Sequence, residues 1–399
     1  MAGLESEGGR IELLGSLDLD AWVSVGPDGL EGQGPGPWHA STGTEREVFT
    51  AYANELGRRL GRRGGSPEPI WCSWYSMYND ITEASLIEVL TDLGDLPFGV
   101  FQIDDGWQQA IGDWDANSRF GDGMADLASR VVANGRVAGL WLAPFLAHES
   151  SETAQRYPEM LLRDTADQPI PAAHNWGGTT FALDVTRVDV LDWLTDLVLR
   201  VLDWGFRYLK LDFLYAAALP SASIDVSERE RAYRAAIETI RKAAGDDVYL
   251  LACGAPVVAS IGVFDGIRVG PDVGPIWDNE DRTIHLADRS GPGAADAIVT
   301  SLSRYWLKGL IDLDPDVVYF RSKACLLDSS QRRLLADLAN VCGIRATSDP
   351  PAWLDAGERA ELAAFLESPR PVVEQIERYS FTVDGRLVDF TPVAEARPW

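Results

Sequence analysis

Six stretches of the sequence each end an apolar run on residues able to do chemistry. They are Trp71-Cys72-Ser73-Trp74-Tyr75, Asp104-Asp105-Gly106-Trp107, Trp141 with His148 shortly after it, Lys210 and Asp212 with Tyr215, Cys253-Gly254, and Arg268 with Asp272. Carboxylates, one Lys and several Trp rings make a recognisable chemical mixture. Carboxylates and ammonium groups bind sugar hydroxyls, and indole rings stack on the apolar faces of sugar rings. Cleaving a glycosidic bond needs two carboxyl groups flanking it, one ionised and one able to deliver a proton. Asp104, Asp105, Asp212 and Asp272 are the strand-end carboxylates from which such a pair could come. Lys210 and Asp212 stand two apart on one apolar run, so a strand would turn both to one face. A Lys so placed is expected to lower the carboxyl pKa and keep Asp212 ionised.

Taken singly, these residues have ordinary explanations. An Asp after a strand is commonly a helix cap or turn residue, and Asp113 and Asp184 are read that way. A lone Trp is commonly core, and Cys253 alone is a small buried hydrophobe. Convergence of six strand ends is what makes a site, so the elements carrying them matter. Strands are expected at 70–74, 98–103, 137–143, 208–213, 248–252 and 266–269, with a short one near 344–346. Helical spacing covers 82–93, 124–133, 188–204, 227–244, 294–308 and 331–341. Strand–helix alternation over nearly 300 residues implies parallel pairing and fits a (β/α)8 barrel, an α/β TIM barrel with its active site at the C-terminal strand ends. A doubly wound nucleotide-binding sheet would want a GxGxxG after its first strand, and none is present.

The barrel is assigned to residues 66–346. Residues 1–65 read as a weakly organised flank: strands IELLGSL and AWVSV, a turn-rich loop GPDGLEGQGPGP, and a helix over 45–60. Residues 347–399 read as a second short flank with a helix over 356–366 and a hairpin turning at Asp384-Gly385.

Composition narrows the partners. The 399 residues carry 61 Asp and Glu against 35 Lys and Arg, a formal charge of −26, which argues against nucleic acid or an anionic membrane as partner. The four Cys are scattered and form no CxxC, and His39, His148, His174 and His285 are dispersed with no HExxH. Neither a disulfide framework nor a His-based metal hydrolase is indicated. The opening MAGLESEGGR has no basic and apolar signal-peptide pattern, and no 18-residue apolar run exists, so a cytoplasmic location is expected.

Seven motifs in order then resemble a known family: WCSWY, FQIDDGWQ, GLWLAPF, HNWGG, FRYLKLDFLYAAALP, CGAP and RVGPDVGPIW. The series is similar to the bacterial α-galactosidases of glycoside hydrolase family 36, over roughly residues 50–345. The resemblance implies a catalytic barrel, a retaining double displacement, no metal or organic cofactor, and small α-galactosides as partners. It implies Asp212 as nucleophile and Asp272 as acid and base. It implies Asp104, Asp105 and Lys210 as a clamp on the galactose hydroxyls, Arg268 and Cys253 beside the 2-hydroxyl, and Trp74, Trp141 and Trp176 as pocket walls. Family members carry a large N-terminal β-sandwich that lends the pocket an aromatic residue; here a reduced flank is expected, with Trp22 and Trp38 as the aromatic candidates. A homo-oligomer is expected because short flanks leave edges to cover. Two other readings follow from the same residues: an α-N-acetylgalactosaminidase or related α-glycosidase with the same carboxylate pair, and a carbohydrate-binding protein impaired in turnover.

Overall fold

The computed structural model describes residues 1–5, 9–278 and 291–397; His285 lies outside them. Eight parallel strands form one sheet: Ile70–Cys72, Val100–Ile103, Val137–Leu142, Tyr208–Leu211, Tyr249–Ala252, Gly266–Arg268, Asp312–Asp314 and Ala346–Thr347. Their spatial order is the chain order, with the eighth strand paired to the first. Isolated parallel bridges Leu313–Gly343 and Val318–Thr347 join the seventh to the eighth, so the sheet curls on itself as a (β/α)8 barrel. The strands are buried on both faces, as parallel strands under helices must be. Trp71 stacks on Phe101 at 4.7 Å and Tyr208 on Tyr249 at 5.2 Å, fixing neighbouring strands by their large side chains.

The helices follow the apolar spacing that predicts them. Helix Val188–Asp203 buries Val190, Leu194, Leu197, Val198 and Val201, one stripe at intervals of three and four. Each such side chain contributes about 1.5–3 kcal/mol of burial. Helix Glu83–Leu93 starts in a reciprocal cap between Thr82 and Ser85 and buries Leu86, Val89, Leu90 and Leu93. The stretch 294–308 is helical only to Ser303; a 3-10 turn, Tyr305–Leu307, follows. Among the described residues no helix is long and apolar enough to cross a membrane.

The flanks are better ordered than the sequence suggests. Ala2–Glu5, Ile11–Ser16 and Trp38–Gly43 form an antiparallel sheet, and the turn-rich loop contains a strand, Gly29–Gln33, paired with Trp22–Gly26. Glycines disguise that strand; a Cβ at Gly32 would lie 2.7 Å from the Trp38 ring, so the ring packs where a side chain would stand. Helix Glu45–Leu60 has the expected bounds, set by a capping box between Thr44 and Glu47. At the other end helix Ala356–Glu367 precedes a three-stranded sheet, Val373–Glu377, Ser380–Val383 and Arg386–Asp389. The expected hairpin is its last two strands.

One excursion positions the site. After the third strand, Leu146–His148, Gly178–Ala182 and Pro171–Asn175 form a small antiparallel sheet. Its tip is the two-residue turn Trp176-Gly177, with φ of 57° and 79°, the left-handed pair that tight hairpins favour. Tyr215 of the fourth strand's loop donates to the carbonyl of Ala172 at 2.8 Å and ties this sheet to the rim.

Candidate active site

A cavity of about 320 Å³ opens at the C-terminal strand ends, lined by Trp74, Asn79, Asp104, Asp105, Trp141, Asn175, Trp176, Lys210, Asp212, Phe213 and Asp272. Eight of the ten predicted site residues line it. Cys253 is buried, and Arg268 is 9% exposed at its side chain and held by three carboxylates, so neither is part of the lining. Trp22 and Trp38 are absent from it too. Asn79, Asn175 and Phe213 are additions. Asn79 sits in a 3-10 turn, Tyr78–Asp80, which carries no strand-end signal. Asn175 and Phe213 fall inside the quoted motifs, beside the residues singled out there.

A larger groove, about 790 Å³, lies between helix Glu45–Leu60, residues 302–308 and strand Val373–Glu377. Size would select it, but of its two lining acids, Glu45 and Glu377, Glu45 is already paired with Arg378 at 2.7 Å. The chemistry selects the smaller cavity.

Asp104 and Asp105 follow the second strand and are 2% and 3% exposed. Asp104 Oδ2 accepts from Lys210 Nζ at 2.8 Å, Gln102 Nε2 at 2.7 Å and Cys72 Sγ at 3.5 Å; its Oδ1 accepts from the backbone of Asp105 at 2.9 Å. Asp105 accepts from Asn79 Nδ2 at 2.6 Å, Trp176 Nε1 at 2.7 Å and Gln108 Nε2 at 2.6 Å. Burial nevertheless pushes the Asp105 pKa above the ordinary value, against those three donors. Gly106 makes the turn possible: at φ 116° its Cβ would meet the Asn79 carbonyl at 2.9 Å.

Asp212 follows the fourth strand. Its Oδ2 accepts from Trp141 Nε1 at 3.1 Å and its Oδ1 from the Phe213 backbone at 2.7 Å. Phe213 holds φ 54°, a left-handed backbone that a bulky residue adopts only under constraint. Lys210 pulls the Asp212 pKa down as expected, but the net direction is upward. Burial raises the Asp212 pKa; the pull of Lys210 opposes this and loses, and the charge of Asp272 adds to the rise. Lys210 gives its bond to Asp104 instead. Burial is the largest influence on Lys210 and acts against its charge, but Asp104 together with Cys72 and Cys253 holds the ammonium well above its usual value.

Asp272 is the more open carboxyl, its side chain 46% exposed. Arg268 Nη1 lies 3.3 Å from Asp272 Oδ1 and 3.0 Å from Asp316, while its Nε donates to Asp314 at 3.0 Å. Asp314 and Asp316 belong to the seventh strand and its loop, which the sequence pattern does not reveal. Elsewhere Asp113 accepts from the backbone of Glu152 and Thr153 at a helix start, and Asp184 caps a turn at Thr186, as expected of both.

The melibiase family model matches residues 58–240. The α-galactosidase TtGalA of Thermus thermophilus, solved with p-nitrophenyl α-D-galactopyranoside, is 47% identical, with a TM-score of 0.92 over 98% of this chain and 80% of that chain. The α-galactosidase AgaA of Geobacillus stearothermophilus is 27% identical over 207 residues, 48% of this chain and 27% of its own length. The bifunctional α-galactosidase/sucrose kinase AgaSK of Mediterraneibacter gnavus is 28% identical over 149 residues, 35% of this chain and 15% of its own. The chain thus matches a minor part of those two curated relatives, but most of the Thermus structure. The barrel with this carboxylate-and-indole cavity defines a glycoside hydrolase of the (β/α)8 class. The chain belongs to the α-galactosidases of glycoside hydrolase family 36, the melibiase type.

Proposed function

We propose that the protein is a retaining exo-α-galactosidase acting on small soluble galactosides. The observation that carries this is the cavity itself: Asp212 and Asp272 face the same space, which Asp104, Asp105 and Lys210 close from one side. Asp212 attacks the anomeric carbon and forms a galactosyl ester as the glycosidic C–O bond breaks. Asp272 gives its proton to the departing oxygen, then takes one from the water that cleaves the ester. Two donors, Trp141 Nε1 and the Phe213 amide, support the Asp212 anion that burial disfavours. Asp104, Asp105 and Lys210 grip the galactose hydroxyls, and Trp74, Trp141 and Trp176 wall the ring. Arg268 and Cys253 stand beside the 2-hydroxyl side without lining the cavity. The Thermus relative is also solved with stachyose, which favours raffinose-type galactosides as substrates. Four free thiols, three of them buried, fit a reducing cytoplasm.

Hydrolysis of 4-nitrophenyl α-galactoside tests the reading. Asp212→Asn should lose at least about 10³-fold in kcat/KM, and the galactose first formed by the active protein should have the α-configuration. Full activity in Asp212→Asn, or galactose first formed as the β-anomer, would remove the reading.

A further inference from the structure

Asp272 is half-exposed and sits in a loop rich in Gly and Pro, yet an acid–base carboxyl must hold one position. We propose that Asp316 is a positioning residue for Asp272, acting through Arg268 and through the backbone of Val273. This rests on the reading of Asp272 as the acid–base group.

The geometry supports it from three directions. Asp316 is 2% exposed and does not line the cavity, so it does not touch substrate. Its Oδ2 accepts from the Val273 backbone N–H at 2.9 Å, the residue directly after Asp272. The same oxygen lies 3.0 Å from Arg268 Nη1, which itself reaches Asp272 at 3.3 Å. Tyr75, from the first strand's loop, donates its hydroxyl to Asp316 as well. One buried carboxylate therefore joins the first, sixth and seventh strands beneath the loop that carries Asp272. The fold accepts strain to hold it there: Asp316 has φ 83°, and its N–H is anchored on Asp314 Oδ1 at 2.9 Å.

Charge follows geometry. Arg268 serves Asp272, Asp314 and Asp316 together. Lys210, Tyr75, Tyr319 and Cys72 are further ionisable groups acting on Asp316. With Asp316 ionised, the guanidinium is compensated from behind. Removing that charge would leave Arg268 to draw on Asp272 and would remove a nearby repulsion; both favour the ionised Asp272, which has no proton to give. Burial pushes the Asp316 pKa up to about 6, so the carboxylate is charged at neutral pH.

The test compares two substrates across pH in the full chain. Melibiose needs its leaving oxygen protonated; 2,4-dinitrophenyl α-galactoside does not. kcat/KM reports the step in which that bond breaks. In Asp316→Asn the basic limb for melibiose should move down by about 1 pH unit, with at least about tenfold lost at pH 7.5, while the dinitrophenyl substrate changes less than about threefold. A limb that stays put, or equal losses on both substrates, would overturn the proposal. Tyr75→Phe removes one donor to Asp316 and should move the limb the same way by less; it decides the matter if Asp316→Asn does not fold, and an unmoved limb there counts against the proposal. Asp272→Asn separates the two readings. If it loses melibiose and keeps the dinitrophenyl substrate, an unmoved limb in Asp316→Asn defeats the positioning role alone. If it behaves as wild type on melibiose, the assignment of Asp272 fails and takes the positioning role with it.

Discussion

The carboxylates on the two sides of the cavity are held by opposite means. On the second-strand side Asp104 and Asp105 receive many donors, most of them neutral: Gln102, Asn79, Gln108, Trp176 and a backbone amide surround them, with Lys210 the cation bonded there. On the sixth-strand side a single guanidinium serves three carboxylates. The first plan fixes position with redundancy, in keeping with the grip on galactose hydroxyls proposed for it. The second makes each carboxylate depend on the charge state of the others, in keeping with the acid–base role proposed for Asp272.

That contrast sets the size of the effects. Arg268→Met should be the most damaging substitution, because it leaves buried Asp314 and Asp316 without their cation. Urea unfolding at pH 7.5 should show a loss of about 3–5 kcal/mol. Part of the loss should return at lower pH, as Asp316 takes up a proton.

The wild-type protein should show the same dependence in milder form. Asp316 is raised to about 6 in the folded state, against about 4 for an ordinary Asp. Between those values the folded chain keeps a proton that the unfolded chain has lost, so this carboxyl's contribution to stability falls as pH rises from about 4 to about 6 and is level above. Asp349, also raised to about 6 by burial, adds a slope of the same sign. Unfolding at pH 4, 5, 6 and 7 should show a shallower fall in Asp316→Asn than in wild type; parallel curves would place the Asp316 proton elsewhere.

The two sides are unequally legible in the sequence. Asp104, Asp105 and Asp212 follow apolar strands and Lys210 lies within one, so their place on the rim follows from strand position and alternation. Which of them pair does not. Lys210 and Asp212 share a strand, yet Lys210 bonds Asp104 two strands away, because barrel interiors are layered by alternate strands. The direction of the Asp212 shift is hidden for a related reason: a neighbouring cation is visible in sequence, whereas the depth of burial is a property of the closed barrel. Asp314 and Asp316 are hidden too, because the seventh strand reads Asp-Leu-Asp, one apolar residue between two acids, and looks like surface. Their burial and their salt bridges to Arg268 show them to be interior.

On the redundant side losses should be smaller. Lys210→Met leaves Asp104 with Gln102, Cys72 and the Asp105 amide, so its stability cost should be about 2 kcal/mol, that of one charged hydrogen bond. A cost equal to that of Arg268→Met would erase the distinction between the two sides.

The smallest effect expected is that of Asn79→Ala. Asn79 shares the Asp105 Oδ2 acceptor with Trp176, and Gln108 holds the other oxygen, so two of three donors survive. The turn also survives, since Arg119 binds the Asn79 carbonyl at 2.6 Å through a backbone atom that Ala retains. The loss should be about 1 kcal/mol, and it should appear in binding rather than in folding, as an approximately fivefold weaker affinity for galactose by calorimetry with the melting temperature nearly unchanged. With one donor fewer, burial acts on Asp105 with less opposition, so its carboxyl should rise further, and the affinity deficit should widen as the pH is lowered. A deficit that is the same at every pH would mean that Asn79 touches the sugar itself and does not act through Asp105.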